Sequence, residues 1–264
     1  MILFLLCTVI GVRAAIVDTI AVKTSYIESP AKVTIVLPED AKHQSKEFPT
    51  LYLLHGYGGD YTNWYKRCPE LADLSDRYGI IIVMPDGRDS WYWDWPNNPK
   101  MQMESFFVED LVPYIDANYP TRNEASQRAI SGLSMGGHGA MWLAIRHSDV
   151  WANAGTMSGG VDIRPFPNNW KISKAIGKLN INPELWDSYT VMGIIEQLKP
   201  GQLNITIDCG IDDFFIDVNR NLHKKLLDAG IAHDYTERPG KHNWQYWTNS
   251  VLYHILFFNE AFNR

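Results

Sequence analysis

Ala129-Ile130-Ser131-Gly132-Leu133-Ser134-Met135-Gly136-Gly137-His138-Gly139 is the stretch that decides the fold. A β-rich run, Arg128 to Ile130, leads into it, and a helical pattern, Gly136 to His147, leads out. Gly132-Leu133-Ser134-Met135-Gly136 reads G-x-S-x-G, and between a strand and a helix that pentapeptide predicts a sharp nucleophile elbow. The two glycines leave room for a strained turn, which holds the serine oxygen exposed at the helix N-terminus. The competing reading is an ordinary glycine-rich turn, and the strand-turn-helix context argues against it.

Outward from the elbow, β-rich segments are predicted at Ile16 to Val22, Lys32 to Leu37, Thr50 to Leu54, Ile80 to Met84, Ala152 to Met157, Asn204 to Asp208 and His233 to Glu237. Helical spacing of apolar residues is predicted at Tyr65 to Tyr78, Met103 to Asn118 and Ile216 to Ala229. Strands alternating with helices after a short antiparallel start indicate an α/β protein with a mostly parallel sheet, whose ligands lie at the carboxyl ends of the strands. No repeat, charge block or linker divides the chain, so one domain is expected over residues 15–264. Val161 to Leu198 interrupts the alternation with Pro165, Pro167 and Pro183, either as a cap-like insertion over a site or as an elaborated surface connection.

A serine hydroxyl needs a base to become a nucleophile and an acid to orient that base. The order expected of this architecture is serine, acid, histidine. That order excludes His43 and His55 among the eight histidines. His138 and His147 fall in the helix behind the elbow, His223 and His254 in later helices, and His233 at a strand start. His242, in Arg238-Pro239-Gly240-Lys241-His242-Asn243-Trp244, lies in the loop where the base belongs. For the acid, Ile207-Asp208-Cys209-Gly210-Ile211-Asp212-Asp213-Phe214 ends a strand. Asp208 belongs to the strand and Asp217 to a first helical turn, where a carboxylate complements the helix dipole. Asp212 and Asp213 remain, and spacing does not separate them.

The anionic tetrahedral intermediate of such chemistry needs backbone donors. Leu54-His55-Gly56-Tyr57-Gly58-Gly59 follows an early strand and matches the loop that supplies one N–H, from Tyr57; Met135, after the nucleophile, supplies the other. A phosphate loop is the rival reading, but the Lys-Ser/Thr of a P-loop and the G-x-G-x-x-G spacing are both missing. Ser158 lacks the preceding glycine and reads as a strand end. Trp91-Tyr92-Trp93-Asp94-Trp95 falls on the edge that holds the site, as an aromatic wall or as packing for a long loop. Gly56, Gly58, Trp64, Trp93 and Trp95 are therefore the candidate substrate contacts.

The 264 residues carry Lys+Arg 24 against Asp+Glu 30, a net charge of -6 that is the opposite of a nucleic-acid binder's footprint. Cys7, Cys68 and Cys209 show no metal-ligand or C-x-x-C spacing; once Cys7 leaves with a leader, Cys68 and Cys209 either pair or, the preferred reading for two cysteines so far apart, stay as separate buried thiols. Met1 to Val12 is an apolar run too short to span a bilayer, followed by small residues ahead of a cut after Ala14. Residues 1–14 are therefore expected to be a signal peptide, with a secreted or periplasmic product and no stable membrane insertion. The sequon Asn204-Ile205-Thr206 sits in a predicted core strand and is read as accidental.

With the elbow, the His-Gly-Tyr-Gly-Gly loop, Cys-Gly-Ile-Asp-Asp-Phe and Pro-Gly-Lys-His-Asn-Trp in order, the chain resembles the esterase D-like family. That family includes S-formylglutathione hydrolases, tributyrin-type esterases, and the feruloyl and acetylxylan esterases of carbohydrate esterase family 1. The likeness runs from about Ala31 to Phe258 and includes Asp116-Ala117-Asn118-Tyr119-Pro120. It implies an α/β-hydrolase fold with helices on both faces of the sheet, no cofactor and no metal, and Asp213 as the acid. It implies a serine esterase acting on small-molecule or glycan esters, and the expected leader, which argues against the cytosolic S-formylglutathione hydrolases, directs the expectation to a secreted enzyme for acetyl or feruloyl groups on plant polysaccharides. The alternatives are an acyltransferase on the same triad, an S-formylglutathione hydrolase-like thioesterase, and a carbohydrate-binding protein without chemistry.

Overall fold

The fold is taken from a computed structural model that describes residues 15–42 and 46–264. The expected leader at residues 1–14, with Cys7, and His43 lie outside the described residues.

Eight strands form one sheet: β1 (Ile16–Val22), β2 (Ala31–Leu37), β3 (Thr50–Leu54), β4 (Ile81–Pro85), β5 (Arg128–Leu133), β6 (Asn153–Met157), β7 (Asn204–Gly210) and β8 (Asp234–Arg238). Their order is β1-β2-β4-β3-β5-β6-β7-β8. β2 pairs antiparallel with β1 and β4, and every other pairing is parallel. The chain folds as an α/β hydrolase. β3 to β6 are buried along their whole lengths, as strands covered on both faces are; β3 and β4 are almost wholly apolar, while β5 and β6 also bury Arg128, Ser131, Asn153 and Thr156.

Alternate residues of each strand point to opposite faces. Tyr52, Leu54 and Ile130 pack with Phe106, Leu111, Met141 and Leu222 on one side, while Leu51, Leu53 and Ala129 pack with Leu71, Val251 and Phe258 on the other. Helices Met135–Arg146 and Ile216–Asp228 therefore cover one face, and Leu71–Tyr78 and Trp244–Phe262 the other.

Two helices depart from the expected spans. The one expected over Tyr65 to Tyr78 is two, Asn63–Arg67 and Leu71–Tyr78. Pro69 separates them: it has no N–H to donate, and it forces the preceding Cys68 to φ -135, ψ 71, outside the helical region. The run expected over Met103 to Asn118 is helical throughout but widens into a π turn at Phe106–Leu111, just ahead of Pro113, whose missing N–H interrupts the regular ladder. Val161 to Leu198 holds three short α-helices, Ile172–Ile176, Pro183–Ser188 and Val191–Ile194, and a 3-10 turn at Ile195–Gln197. It is tied to the flank by Tyr189, which stacks on Trp142 at 5.5 Å and donates its hydroxyl to the Asp94 carbonyl. Cys68 and Cys209 are both free and buried, as expected.

Register places four loops at one edge. Leu54 lies opposite Gly132, Leu133 opposite Met157, Met157 opposite Asp208 and Gly210 opposite Arg238. The carboxyl ends of β3, β5, β7 and β8 therefore open together, and the site is built there.

Candidate active site

Ser134 follows β5 with φ 55 and ψ -117, a backbone conformation a side-chain-bearing residue adopts at a cost of about 1–3 kcal/mol. Two glycines make the turn feasible. A Cβ on Gly132 would stand 2.5 Å from the Gly136 carbonyl, and one on Gly136 would stand 2.5 Å from the His55 oxygen. The Ser134 N–H donates to the Met157 carbonyl at 3.0 Å, which ties the elbow to β6.

His242 lies in the loop after β8. Its Nε2 is 2.9 Å from Ser134 Oγ, and its Nδ1 is 2.8 Å from Asp213 Oδ2 and 3.0 Å from Oδ1. A carboxylate only accepts, so Nδ1 carries the proton and Nε2 presents a lone pair to the serine hydroxyl. Asp213 is buried, and its Oδ1 also accepts the Phe215 N–H at 2.8 Å, which fixes the carboxylate. Asp212 is exposed and donates only its backbone N–H, to the Gly240 carbonyl at 3.0 Å. A Cβ on Gly210 would come within 2.4 Å of the Gly240 oxygen, so a glycine there lets the acid and base loops meet.

The Tyr57 and Met135 N–H groups have no partner among the described residues. Met135 opens the elbow helix, where the dipole favours negative charge. The Tyr57 loop lies against the elbow: a Cβ on Gly56 would be 3.4 Å from Ser134 Cβ. Gly58 sits at φ 73 with its N–H on Asp89 Oδ1 at 2.7 Å, and the Gly59 N–H reaches the Gly56 carbonyl at 3.0 Å. His55 clamps the same loop. Its Nε2 accepts the Gly87 N–H at 2.9 Å, leaving Nδ1–H to donate to the Gly56 carbonyl at 2.8 Å. Burial, and then the Asp89 carboxylate, push the Tyr57 phenol above its ordinary pKa.

The expected aromatic contacts are not at the site, and this is a correction. Trp64, Trp93 and Trp95 are buried, and each spends its indole N–H inside the body. Trp64 donates to the Leu54 carbonyl at 2.9 Å, Trp93 to His138 Nε2 at 2.8 Å and Trp95 to the Ser90 carbonyl at 3.0 Å. Large rings on a long loop gain more from burial than from solvent, and the buried N–H must then find a partner. Burial lowers the pKa of His138 to about 3, so this imidazole is neutral and accepts from Trp93. The rings beside His242 are others. Phe214 lies 4.2 Å from it, and Trp170 stacks on Phe214 at 6.1 Å and 22°, with Phe166 at 5.6 Å from Trp170. Sequence reading missed these residues and Asp89; the signal available was Phe214 itself, an apolar residue beside the candidate acid.

The remaining expectations fall outside the site. Ser158 directly follows β6 and is buried, with its N–H on the Asp208 carbonyl at 2.7 Å. His254 faces Ser131 Oγ at 2.9 Å, His147 faces Glu104 at 2.7 Å, and His223 pairs with His233 at 2.7 Å. Among the described residues no group of three or more His, Cys, Asp or Glu is placed to hold a metal, and no helix is long and apolar enough to cross a membrane.

A family model described as "Putative esterase" matches residues 24–257. An acetyl esterase of Caldicellulosiruptor saccharolyticus is 26% identical over 219 residues, covering 78% of this chain and 82% of its own. An esterase of Mycobacterium tuberculosis is 30% identical over 249 residues, which cover 83% of this chain; the match spans 54% of the mycobacterial protein, about half its length. Among solved structures, a ferulic acid esterase superposes with a TM-score of 0.79 at 27% identity, covering 95% of this chain and 99% of that one.

Proposed function

The chain belongs to the esterase family as a carboxylic ester hydrolase, and from that premise we propose that residues 15–264 are one domain working through Ser134, His242 and Asp213. The observation that carries the proposal is the position of His242, with one ring nitrogen on the serine hydroxyl and the other on a buried carboxylate.

In the proposed reaction Ser134 Oγ attacks the ester carbonyl while His242 Nε2 takes its proton. Asp213 holds the imidazole in that tautomer and stabilises the imidazolium. The negative charge that develops on the carbonyl oxygen is met by the Tyr57 and Met135 N–H groups. Collapse breaks the bond to the alcohol, whose oxygen receives the proton from Nε2, and leaves an acyl-serine. A water, deprotonated by the same nitrogen, then attacks the acyl carbon; the acyl–Oγ bond breaks, Ser134 Oγ takes the proton back from Nε2, and the acid leaves.

The substrates proposed are small acyl esters, with acetyl or feruloyl groups on plant polysaccharides as the natural class. The names of the acetyl esterase and ferulic acid esterase relatives support this, as do the ring surfaces beside His242. The leader-like residues 1–14 support an exported enzyme. A panel of acetylated xylan, methyl ferulate, p-nitrophenyl acetate and S-formylglutathione tests the class. Oxygen esters are expected to have the higher kcat/KM, with acid as product and His242→Ala inactive on all. Preference for the thioester, or transfer of the acyl group to an added sugar in place of water, would contradict the proposal.

A further inference from the structure

We propose that Phe214 and Trp170 form the surface on which the leaving alcohol of the ester lies, and that this surface selects alcohols with a flat ring face, an aryl group or a pyranose. The inference rests on the reading of Ser134 and His242 given above, and it adds the side of the scissile bond on which the ring is recognised.

The chemistry fixes the directions. The carbonyl oxygen of the intermediate must point to the Tyr57 and Met135 N–H groups, in the β3 loop and at the start of the elbow helix. The leaving oxygen must receive its proton from His242 Nε2, so the first carbons of the alcohol lie beside the imidazole. Three rings pack on that imidazole, Phe214 at 4.2 Å between centroids and tilted by 41°, Trp247 at 4.9 Å and Phe215 at 5.4 Å, and of these Trp247 and Phe215 are buried. Phe214 is 52% exposed, whereas its neighbour Phe215 is fully buried. The chain thus places one phenylalanine of the pair in the core and presents the other to solvent beside the imidazole that delivers the proton.

Trp170 extends that face. Its ring lies within 22° of parallel to Phe214 and is backed by Phe166 at 5.6 Å, Phe215 at 5.4 Å and Trp91 at 5.8 Å. The backbone carrying it is strained: Trp170 and Lys171 have φ 48 and 55, the left-handed region that residues with a side chain rarely adopt. The packing of several rings around Trp170 holds this conformation. The result is a rigid, partly exposed aromatic surface, which stacks rings at little cost in ordering side chains.

Ethyl acetate and benzyl acetate share an acyl group and have alcohols of similar basicity, so they test the inference. In the full chain, Phe214→Ala and Trp170→Ala are expected to lower the ratio of kcat/KM for benzyl over ethyl acetate about tenfold, with Phe214→Tyr restoring it. A matched pair differing only in the acid, ethyl ferulate over ethyl acetate, is expected to keep its ratio within about twofold. Because each readout is a ratio, a change in the folded fraction cancels. An unchanged benzyl-to-ethyl ratio, or a loss that follows the acid, would overturn the inference. Ser134→Ala run on the same esters separates this from the underlying reading: if that variant stays active, the acyl-enzyme reading fails, whatever the ratios do.

Discussion

Asp89 Oδ1 accepts the Gly58 N–H at 2.7 Å, one residue beyond the Tyr57 N–H that has no partner among the described residues. Gly58 has positive φ and lies on an exposed loop, so its conformation depends on being held from outside. The carboxylate is contributed from the loop after β4 and sets where the Tyr57 N–H points. Loss of an oxyanion donor costs on the order of 10²–10³ in kcat in well-studied cases, and loosening one should cost less. Asp89→Ala is expected to lower kcat about tenfold with little change in KM. Asp89→Asn, which keeps an acceptor oxygen, is expected to recover most of it. Steady-state kinetics of the two variants decide the matter, and equal losses in KM and kcat would contradict a positioning role.

The acid is tested by contrast between neighbours. Asp213→Asn leaves the loop intact but removes the charge that fixes the His242 tautomer, and it is expected to lower kcat by on the order of 10³–10⁴. Asp212→Asn alters an exposed side chain and is expected to stay within about threefold of the parent. Rates of p-nitrophenyl acetate hydrolysis by the two variants, measured side by side, are the check.

Acid should destabilise the fold through two buried imidazoles. Burial lowers the pKa of both His138 and His254 to about 3, against about 6.5 when unfolded. Between those values the unfolded chain binds protons that the native chain refuses, so stability rises with pH. The contribution is complete above about pH 6.5 and is lost progressively as pH falls toward 3. His223, shifted the same way by burial and by His233, adds to the slope. Tm is expected to fall from pH 7 to pH 5, and His254→Gln to flatten the fall by up to about one proton. A Tm independent of pH in that window would contradict the assignment.

Gly136→Ala sets two effects against each other. Alanine in a helix interior is worth up to about 1 kcal/mol over glycine. Here its Cβ would meet the backbone oxygens of His55 and Leu54 at 2.5 and 2.6 Å, and backbone does not swing aside as a side chain does. Overpacking of about 1–3 kcal/mol or more should win. A lower midpoint in urea is expected, and a raised one would show that the β3 loop can move away from the elbow.

Local signals were legible where one short stretch carries both the strand end and its turn. The β5 elbow, the His242 loop and the mostly parallel sheet belong to that class. Helix breaks were missed where proline was outvoted by apolar spacing, as at Pro69. Which aromatic residues reach the surface was not legible beyond the position of Phe214 next to the candidate acid, because local sequence does not say which rings the fold buries. The difference comes from long-range partners: Trp93 meets His138 in the core, whereas Phe214 meets Trp170 from a segment some forty residues earlier. Asp89 was missed for the same reason, since its contact with Gly58 exists only once β3 and β4 pair.

The most direct test is the initial rate of p-nitrophenyl acetate hydrolysis by the protein and by Ser134→Ala, measured together under identical conditions. The variant is expected to fold, with a Tm within a few degrees of the parent, and to retain less than about a thousandth of its rate. Comparable rates from both proteins would show that the elbow is a structural turn and that Ser134 is not the nucleophile.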